Sequence, residues 1–435
     1  MFVKGLSSVS EVTHSIRREN VTEKRPKFFY GYAVTAAGFA IWFVGWGTFV
    51  PAFGVFMKPL LADFNWSRAD AALAYSLSTL VRACLSIAIG WLTDKTGPRR
   101  VMTIFGSFLG ISYLLLSRVN GLWQFQMAYG LIGGIGASTL TVPVMATISR
   151  WFVKKRGLMI GIVQAGMGVG GFIFPPFVGW LILSYGWRLS YVVLGLITLM
   201  VMVAGGLFLR RDPRDMGLLP DGEQVTTRST GGPPTDAQKE AKRPLLEIMK
   251  TGQFWIIAGI YASFGFCRSG FTVHIAAHVQ DLGFSLIDGA NILAVITGTS
   301  IFGRVGMGRV ADKIGNRTVF MISFGVTALS LFLGLVARDL WVLYVFAFFF
   351  GFGWGNQAVL RFALTSEVFG VASLGLMMGI FAVAESVAAT FAAYFAGYIF
   401  DVLGNYNLVF MAGIGLSVIG IGLAAMLKPV AKGRT

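Results

Sequence analysis

Long apolar stretches, most of them of 18 residues or more, recur along the chain between short polar turns, and each is long enough to cross a bilayer as a helix. The first six fall near Phe29 to Met57, Ala71 to Leu92, Val101 to Leu116, Leu122 to Ile148, Leu158 to Tyr185 and Leu189 to Leu209. Six more fall near Phe254 to Val279, Ile287 to Val310, Val319 to Val336, Leu340 to Phe369, Leu376 to Val402 and Leu408 to Leu427. Between the sets, Arg210 to Lys250 is rich in Pro, Gly, Thr and charge and cannot bury enough apolar surface to form a core. The pattern predicts an all-α membrane protein with twelve transmembrane helices in two six-helix bundles. Its parts are a tail at 1–28, a bundle at 29–209, a linker at 210–252, a second bundle at 253–427 and a tail at 428–435.

The two sets are copies. One constant shift carries Asp70 onto Asp288, and it also carries Gly90 onto Gly308, Asp94 onto Asp312, Gly97 onto Gly315 and Gly186 onto Gly404. The same register takes the run from Gly157 to Ile162 onto the run from Gly375 to Ile380. A six-helix unit repeated in one membrane orientation predicts a central site between halves that rock about it.

Composition agrees with this reading. The 435 residues are 55% hydrophobic and 13% charged, with a mean hydropathy of +0.70, whereas soluble domains carry about 25% charged residues. A net charge of +16 would suggest a nucleic-acid partner in a soluble protein. Here topology accounts for it. Only Lys58, Arg68, Arg118, Arg188 and Arg338 fall on one side of the predicted membrane. Most other cations crowd the N-tail, the loops 2–3, 4–5 and 8–9, the linker and the C-tail, which by the positive-inside rule are cytoplasmic. Both termini are therefore expected in the cytoplasm of a protein of the cytoplasmic (inner) membrane. Cys84 and Cys267 lie in apolar segments and predict no disulfide, and the basic N-terminus reads as a tail and not as a signal peptide.

Loop 2–3 carries Gly90, Asp94, Lys95, Gly97, Arg99 and Arg100, and loop 8–9 carries Gly308, Asp312, Lys313, Gly315 and Arg317. A carboxylate at a helix end with a glycine turn and a fork of cations can clamp neighbouring helices in one state and release them in another. The alternative is an ordinary positive-inside anchor; duplication of the pattern favours a gate. Twelve spans, a basic linker and Gly-x-x-x-Asp-Lys-x-Gly-x-Arg in both inner loops resemble the major facilitator superfamily over essentially the whole chain. Trp151, Phe152, Lys154, Lys155, Arg156, Leu158, Gly161, Ala165 and Gly166 resemble the fifth-span signature of monocarboxylate transporters. Phe64-Asn65-Trp66-Ser67-Arg68 resembles an outer loop shared by those proteins and the oxalate/formate antiporters. The acidic entry to span 1 seen in animal members is here Phe29-Tyr30-Gly31-Tyr32.

A charge at mid-membrane costs about 2.5 to 3.5 kcal/mol on insertion scales, so intramembrane charges are functional candidates. Arg82, Arg268, Arg304 and Arg361 stand against one clearly buried acid, Glu385, and an anionic substrate is the natural counter-ion. The resemblance implies that Arg304, eight residues before Asp312, matches the eighth-span arginine that binds substrate carboxylate, where a guanidinium fork can hold both oxygens. Snorkelling towards the inner face is the alternative. The family's acid one turn earlier is here Ser300, so its Asp–Arg proton relay does not carry over. Arg268 is either a second anion contact or a partner for Glu385, Arg82 reads as structural, and Arg361 as snorkelling or part of the inner gate. His274, His278 and Asp281 share one helical face. The histidines either receive protons or are structural, and Glu385 is either a proton carrier or a counter-ion. Tyr30, Tyr32, Tyr129, Tyr261, Asn356 and Gln357 are polar candidates to orient a hydroxy- or keto-acid, or packing residues.

The expectation is a secondary active transporter of a small organic monocarboxylate, lactate- or pyruvate-like, coupled to a proton and working by alternating access. The alternatives are an organic-anion exchanger or dicarboxylate carrier and, further off, a multidrug exporter. A monomer in the lipid bilayer is expected, with no cofactor, metal or nucleic acid and no enzymatic activity.

Overall fold

All regular structure in the described residues, 29–222, 245–369 and 374–427 of this computed structural model, is helical. Ten helices among them are long and apolar enough to cross a membrane. Arg156–Phe208, 53 residues long, holds two passes because Gly186 reverses the chain at φ 79° and ψ 163°. Leu340–Phe369 is a further helix of 30 residues in the place of the tenth pass. The twelve passes of the apolar pattern are thus accounted for. They are span 1, Gly31–Phe64; span 2, Arg68–Thr96; span 3, Pro98–Leu116; span 4, Leu122–Trp151; and spans 5 and 6 within Arg156–Phe208. The second half comprises span 7, Gly252–Asp281; span 8, Leu286–Ile314; span 9, Asn316–Val336; span 10, Leu340–Phe369; span 11, Leu374–Leu403; and span 12, Asn407–Met426.

Local chemistry shows why the repeat folds twice in the same way. Spans 2 and 8 begin at Ser67 and Ser285, whose side chains accept from the N–H groups of Asp70 (3.0 Å) and Asp288 (3.1 Å), as capping serines do. Both end on glycines in nearly the same unusual conformation, Gly97 at φ 89°, ψ 153° and Gly315 at φ 86°, ψ 145°, which a side chain would strain. Span 1 is interrupted between Phe49 and Pro51, because proline lacks the N–H that continues the helical ladder. A loop was expected between spans 5 and 6. The single left-handed residue Gly186 replaces it, and Arg188 beside the turn lies 4.2 Å over the Trp187 ring.

With no hydrophobic drive between helices in lipid, small residues let backbones approach. A β-carbon on Gly170 would stand 1.9 Å from the Phe43 carbonyl, and one on Gly355 2.1 Å from that of Ser300. The same device joins the halves. Gly397 of span 11 lies against the backbone of Arg68 and Ala69, Gly171 of span 5 against Thr297 of span 8, and Gly54 of span 1 against the carbonyls of Thr272 and Val273. Ser76 Oγ donates to Thr390 O at 2.7 Å across spans 2 and 11. The face carrying the Gly97 and Gly315 turns and the start of the linker is called the linker face below, and the other the opposite face.

Candidate functional site

The central charges condense around Glu385 of span 11. Arg361 Nη1 of span 10 forms a short ion pair with Glu385 Oε2, and Arg268 Nε of span 7 stands 3.8 Å from Oε1. Arg361 also lies 3.9 Å over the Phe264 ring and 4.8 Å over Tyr261. Its place in this cluster, and not among lipid headgroups, follows from the carboxylate waiting one span away. Arg82 stacks 5.5 Å from Trp46 and shares the electrostatic neighbourhood of Arg268 and Glu385. Around this acid three guanidiniums therefore face one carboxylate, an imbalance that costs energy until another anion completes it.

Arg304 of span 8 crosses to the other half. Its Nη1 donates to Gln164 O of span 5 at 3.4 Å, Nη2 lies 3.8 Å from Met167 Sδ, and the Trp354 ring is 5.9 Å away. Neither contact is the paired oxygen geometry a guanidinium favours. Its buried Nε has no hydrogen-bond partner, and nor does that of Arg361. Asn356, 1% exposed, leaves both amide atoms unpartnered, and its Oδ1 abuts Gly303, next to Arg304 in the chain. Gln357 by contrast donates to Thr327 Oγ1 at 3.1 Å. Tyr261 Oη is engaged with Thr365 Oγ1 at 3.1 Å. Tyr129 Oη donates to Phe49 O beside the break in span 1, inside an aromatic cluster with Phe49, Phe53 and Phe125. Tyr32, 44% exposed, packs against Phe152 with ring centroids 6.0 Å apart. Arg304 and Asn356 are thus neighbours, while Tyr32 and Tyr129 belong to other surroundings.

His274 and His278 meet a different cluster, on the opposite face. A carbonyl can only accept, so His274 Nε2 donates to Ala393 O (2.8 Å), and Nδ1 accepts from Tyr406 Oη (3.2 Å). Tyr406 Oη in turn accepts from Arg68 Nη1 at 2.6 Å. A proton added at Nδ1 would set a second cation against Arg68. His278 packs edge-on to Tyr406, ring centroids 5.4 Å apart. Arg268 and His274 end in separate clusters, and Gly270 between them lies within the continuous helix of span 7.

The same cluster holds residues that patterning alone did not assemble. Arg68, 7% exposed, starts span 2 of the first half and reaches into the second half. It pairs with Asp281 at 2.7 Å, lies 3.5 Å over the Phe400 ring, and gives its backbone N–H to Asp401 Oδ1 at 3.0 Å. Lys58 of span 1 adds a second ion pair to Asp281 at 2.8 Å. The only advance signs were Arg68 in the outer-loop motif and Asp281 on the histidine face.

On the linker face the described ion pairs remain within a half. Asp94 pairs with Arg150 of span 4 at 2.7 Å, while Arg99 and Arg100 line a neighbouring cavity. Arg317 donates to the Ala425 carbonyl of span 12, and Asn316 to Glu367 of span 10. A β-carbon on Gly90 would meet the Val142 side chain at an ordinary 3.5 Å. The surroundings of Gly308 and the side chain of Asp312 lie outside the described residues. β-Carbons on Gly157, Gly161 and Gly379, near the linker-face ends of spans 5 and 11, would meet nothing within 4 Å.

Twelve passes in two like-built halves, with charges gathered between them, are the architecture of a transporter. The family model of the Major Facilitator Superfamily matches residues 35–313 and again 292–435, so the chain belongs to that superfamily. Monocarboxylate transporter 13 of Rattus norvegicus is 27% identical over 380 residues, 86% of this chain and 84% of the relative. The fujikurins efflux protein of Gibberella fujikuroi is 28% identical over 361 residues, 80% of this chain and 72% of the relative. A crystal structure of a bacterial homologue of the human lysosomal transporter Spinster, inward-facing and occupied, superposes with a TM-score of 0.72 at 15% identity. It covers 91% of this chain and 96% of that one, and it shows the fold. The protein is a multi-pass membrane transporter similar to the monocarboxylate transporters, and not an enzyme.

Proposed function

We propose that the protein is a secondary active transporter of a small organic monocarboxylate, lactate- or pyruvate-like, carried with a proton by alternating access. The observation that carries the reading is the central excess of guanidinium: Arg82, Arg268 and Arg361 around the single carboxylate of Glu385, with Arg304 held by weak contacts beside unpartnered Asn356. A travelling carboxylate at Arg304, with Arg268 near, would supply the missing charge. Asn356 and Gln357 would orient its 2-substituent, with Tyr261 in a supporting position, while Tyr32 and Tyr129 stand apart from this site.

A proton on Glu385 without substrate leaves Arg268 and Arg361 unpaired, and a substrate carboxylate can take the place of the neutralised one, so reorientation is assigned to the state that carries both. Proton loading is assigned to His274 and His278 while the opposite face is open, and to Glu385, whose neutralisation would release Arg268 and Arg361. The linker face is placed in the cytoplasm, both termini with it, and the protein in the cytoplasmic (inner) membrane as a monomer. The bundles at 29–209 and 253–427 are the two moving bodies. Asp94, Arg99 and Arg100, with Gly90, and Asp312 and Arg317, with Gly308, are the linker-face gates that close when the opposite face opens. The cross-half ion pairs of Arg68 and Lys58, against the within-half ion pair of Asp94 with Arg150 and the within-half hydrogen bond of Arg317 to the Ala425 carbonyl, support the reading that the present state is open to the cytoplasm.

The test is uptake of radiolabelled lactate, pyruvate, acetate, oxalate and aromatic acids into proteoliposomes, with and without an imposed pH gradient. Uptake of a monocarboxylate that rises with an inward proton gradient, and is abolished in Arg304→Ala, is the expected result. Normal uptake in Arg304→Ala refutes the site. Exchange stimulated by internal anion with no pH dependence would give the antiporter reading instead. The similarity to a fungal efflux protein favours export as the second reading, which vesicles loaded with substrate would reveal by net efflux.

A further inference from the structure

A large cavity lies away from the central site, on the linker face of the first half. Its volume is about 710 Å3, within the range of small-molecule sites. Its walls are the turn from Lys95 to Arg100, Thr103 and Ile104 of span 3, and the chain leaving span 6 from Leu207 to Met216. Five cations, Lys95, Arg99, Arg100, Arg210 and Arg211, face one carboxylate, Asp215. Lys95 already stacks over Trp91 at 4.9 Å, and Asp94 takes its cation from Arg150. The four arginines are thus left to the cavity.

The wall formed by the linker is built, not loose. Trp151 Nε1 donates to Arg210 O at 2.8 Å. Asp212 caps the short helix Pro213–Met216 through the N–H of Arg214 at 2.9 Å, and Leu218 N–H donates to Pro213 O at 3.0 Å. Further on, Asp221 accepts from the N–H groups of Lys154 (2.8 Å) and Val153 (2.9 Å). These bonds hold Arg210 and Arg211 across from Arg99 and Arg100 as two sides of one basic pocket.

The pocket also has an apolar edge. Ile104 is 55% exposed and Leu207 43% exposed, both at the ends of membrane spans where the hydrocarbon begins. A pocket of cations at the membrane boundary with an apolar edge matches a lipid, phosphate inward and acyl chains outward; a small inorganic anion uses neither the volume nor the edge. We propose that this cavity is a binding site for the headgroup of an anionic phospholipid in the leaflet on the linker face, held by Arg99, Arg100, Arg210 and Arg211. Basic pockets between spans recognise such headgroups in this way.

The test is native mass spectrometry of the full-length protein released from vesicles of equimolar phosphatidylglycerol and phosphatidylcholine. Retention of phosphatidylglycerol over phosphatidylcholine is expected, resistant to millimolar inorganic phosphate. Each cation removed should weaken retention about fivefold, so Arg210→Gln/Arg211→Gln should weaken it roughly 25-fold. Arg118→Gln/Arg338→Gln, the same charge change on the opposite face, should leave it intact. Equal retention of the two lipids by the unaltered protein, a measurement that needs no variant, overturns the proposal. So does displacement by inorganic phosphate, which would make the cavity a small-anion site, and so does undiminished retention in Arg210→Gln/Arg211→Gln.

Discussion

The sharpest consequence of the structure concerns Arg68. Replacing it by Gln keeps the backbone N–H bond to Asp401 but removes the cation. Taking one partner from a buried, hydrogen-bonded ion pair costs about 3 to 5 kcal/mol. Here the loss is smaller, because Lys58 still neutralises Asp281 and the Asp281 side chain is 21% exposed. About 2 kcal/mol remains for the pair and the Tyr406 bond, and the contact 3.5 Å over Phe400 adds about 1 kcal/mol. Roughly 3 kcal/mol is a factor of about 100 in the equilibrium between the state closed on the opposite face and the state open there. A closed state favoured 99 to 1 would fall to near parity. Spin labels at Leu73→Cys and Val402→Cys, in a Cys84→Ser background, report the separation of spans 2 and 11 on that face. Both positions are exposed, and Cys267 is buried. Arg68→Gln should add a long-distance population of comparable size to the short one, with helix content unchanged. An unaltered short-distance distribution would falsify the assignment of Arg68 to a lock between the halves.

Other perturbations test neighbouring parts. Glu385→Gln should leave Arg268 and Arg361 without their carboxylate, so that uptake loses its response to an imposed pH gradient while exchange of anion persists; an unchanged gradient response would remove Glu385 from proton coupling. Gly397→Leu should favour opening of the opposite face much as Arg68→Gln does, since even a β-carbon there meets Arg68 and Ala69 backbone at 2.8 Å, and the same spin-label pair reads it. Gly157→Ala and Gly161→Ala should be stable, as nothing lies within 4 Å, whereas Gly170→Ala should lower the melting temperature by overpacking against Phe43. The Asp221 carboxyl bears a small burial cost, but the N–H groups of Lys154, Val153 and Lys155 hold it below its ordinary 3.8. A lowered carboxylate value stabilises the docked linker above the unfolded value and is lost only as pH falls through the folded one. Amide exchange at 153–155 should therefore be protected equally from pH 5 to 8, and Asp221→Asn should weaken that protection throughout.

The architecture was largely legible because its determinants are local or periodic. Apolar length gives the spans, and the register joining Asp70 to Asp288 and Gly97 to Gly315 gives the repeat. The structure returns those pairs as matching serine caps and matching glycine conformations. The reversal at Gly186 was not legible as a one-residue turn, since the residues around it read equally well as a short loop. Among charged groups, pattern named the members of the central cluster and offered Glu385 as a partner for Arg268, but not for Arg361. Arg361 was placed by depth alone, and depth does not show that span 11 presents Glu385 to it. The lock was harder still. Lys58, Arg68, Asp281 and Asp401 sit on four spans, each an ordinary residue for a membrane boundary, and only the packed halves bring them together. Tyr129 illustrates the converse, for a polar side chain on a cavity-lining span can be fully occupied by its own bundle's backbone.

The turn at Gly186 has a mechanical result. Two passes joined through a single residue have no slack with which to slide along the membrane normal, so span 6 must follow any tilt of span 5. Span 5 abuts span 8 through Gly171 and Thr297, and span 6 leads into the segment that Trp151 grips at Arg210. Motion generated where the bundles meet is thereby delivered, like a lever arm to its load, to the first residues of the connecting segment.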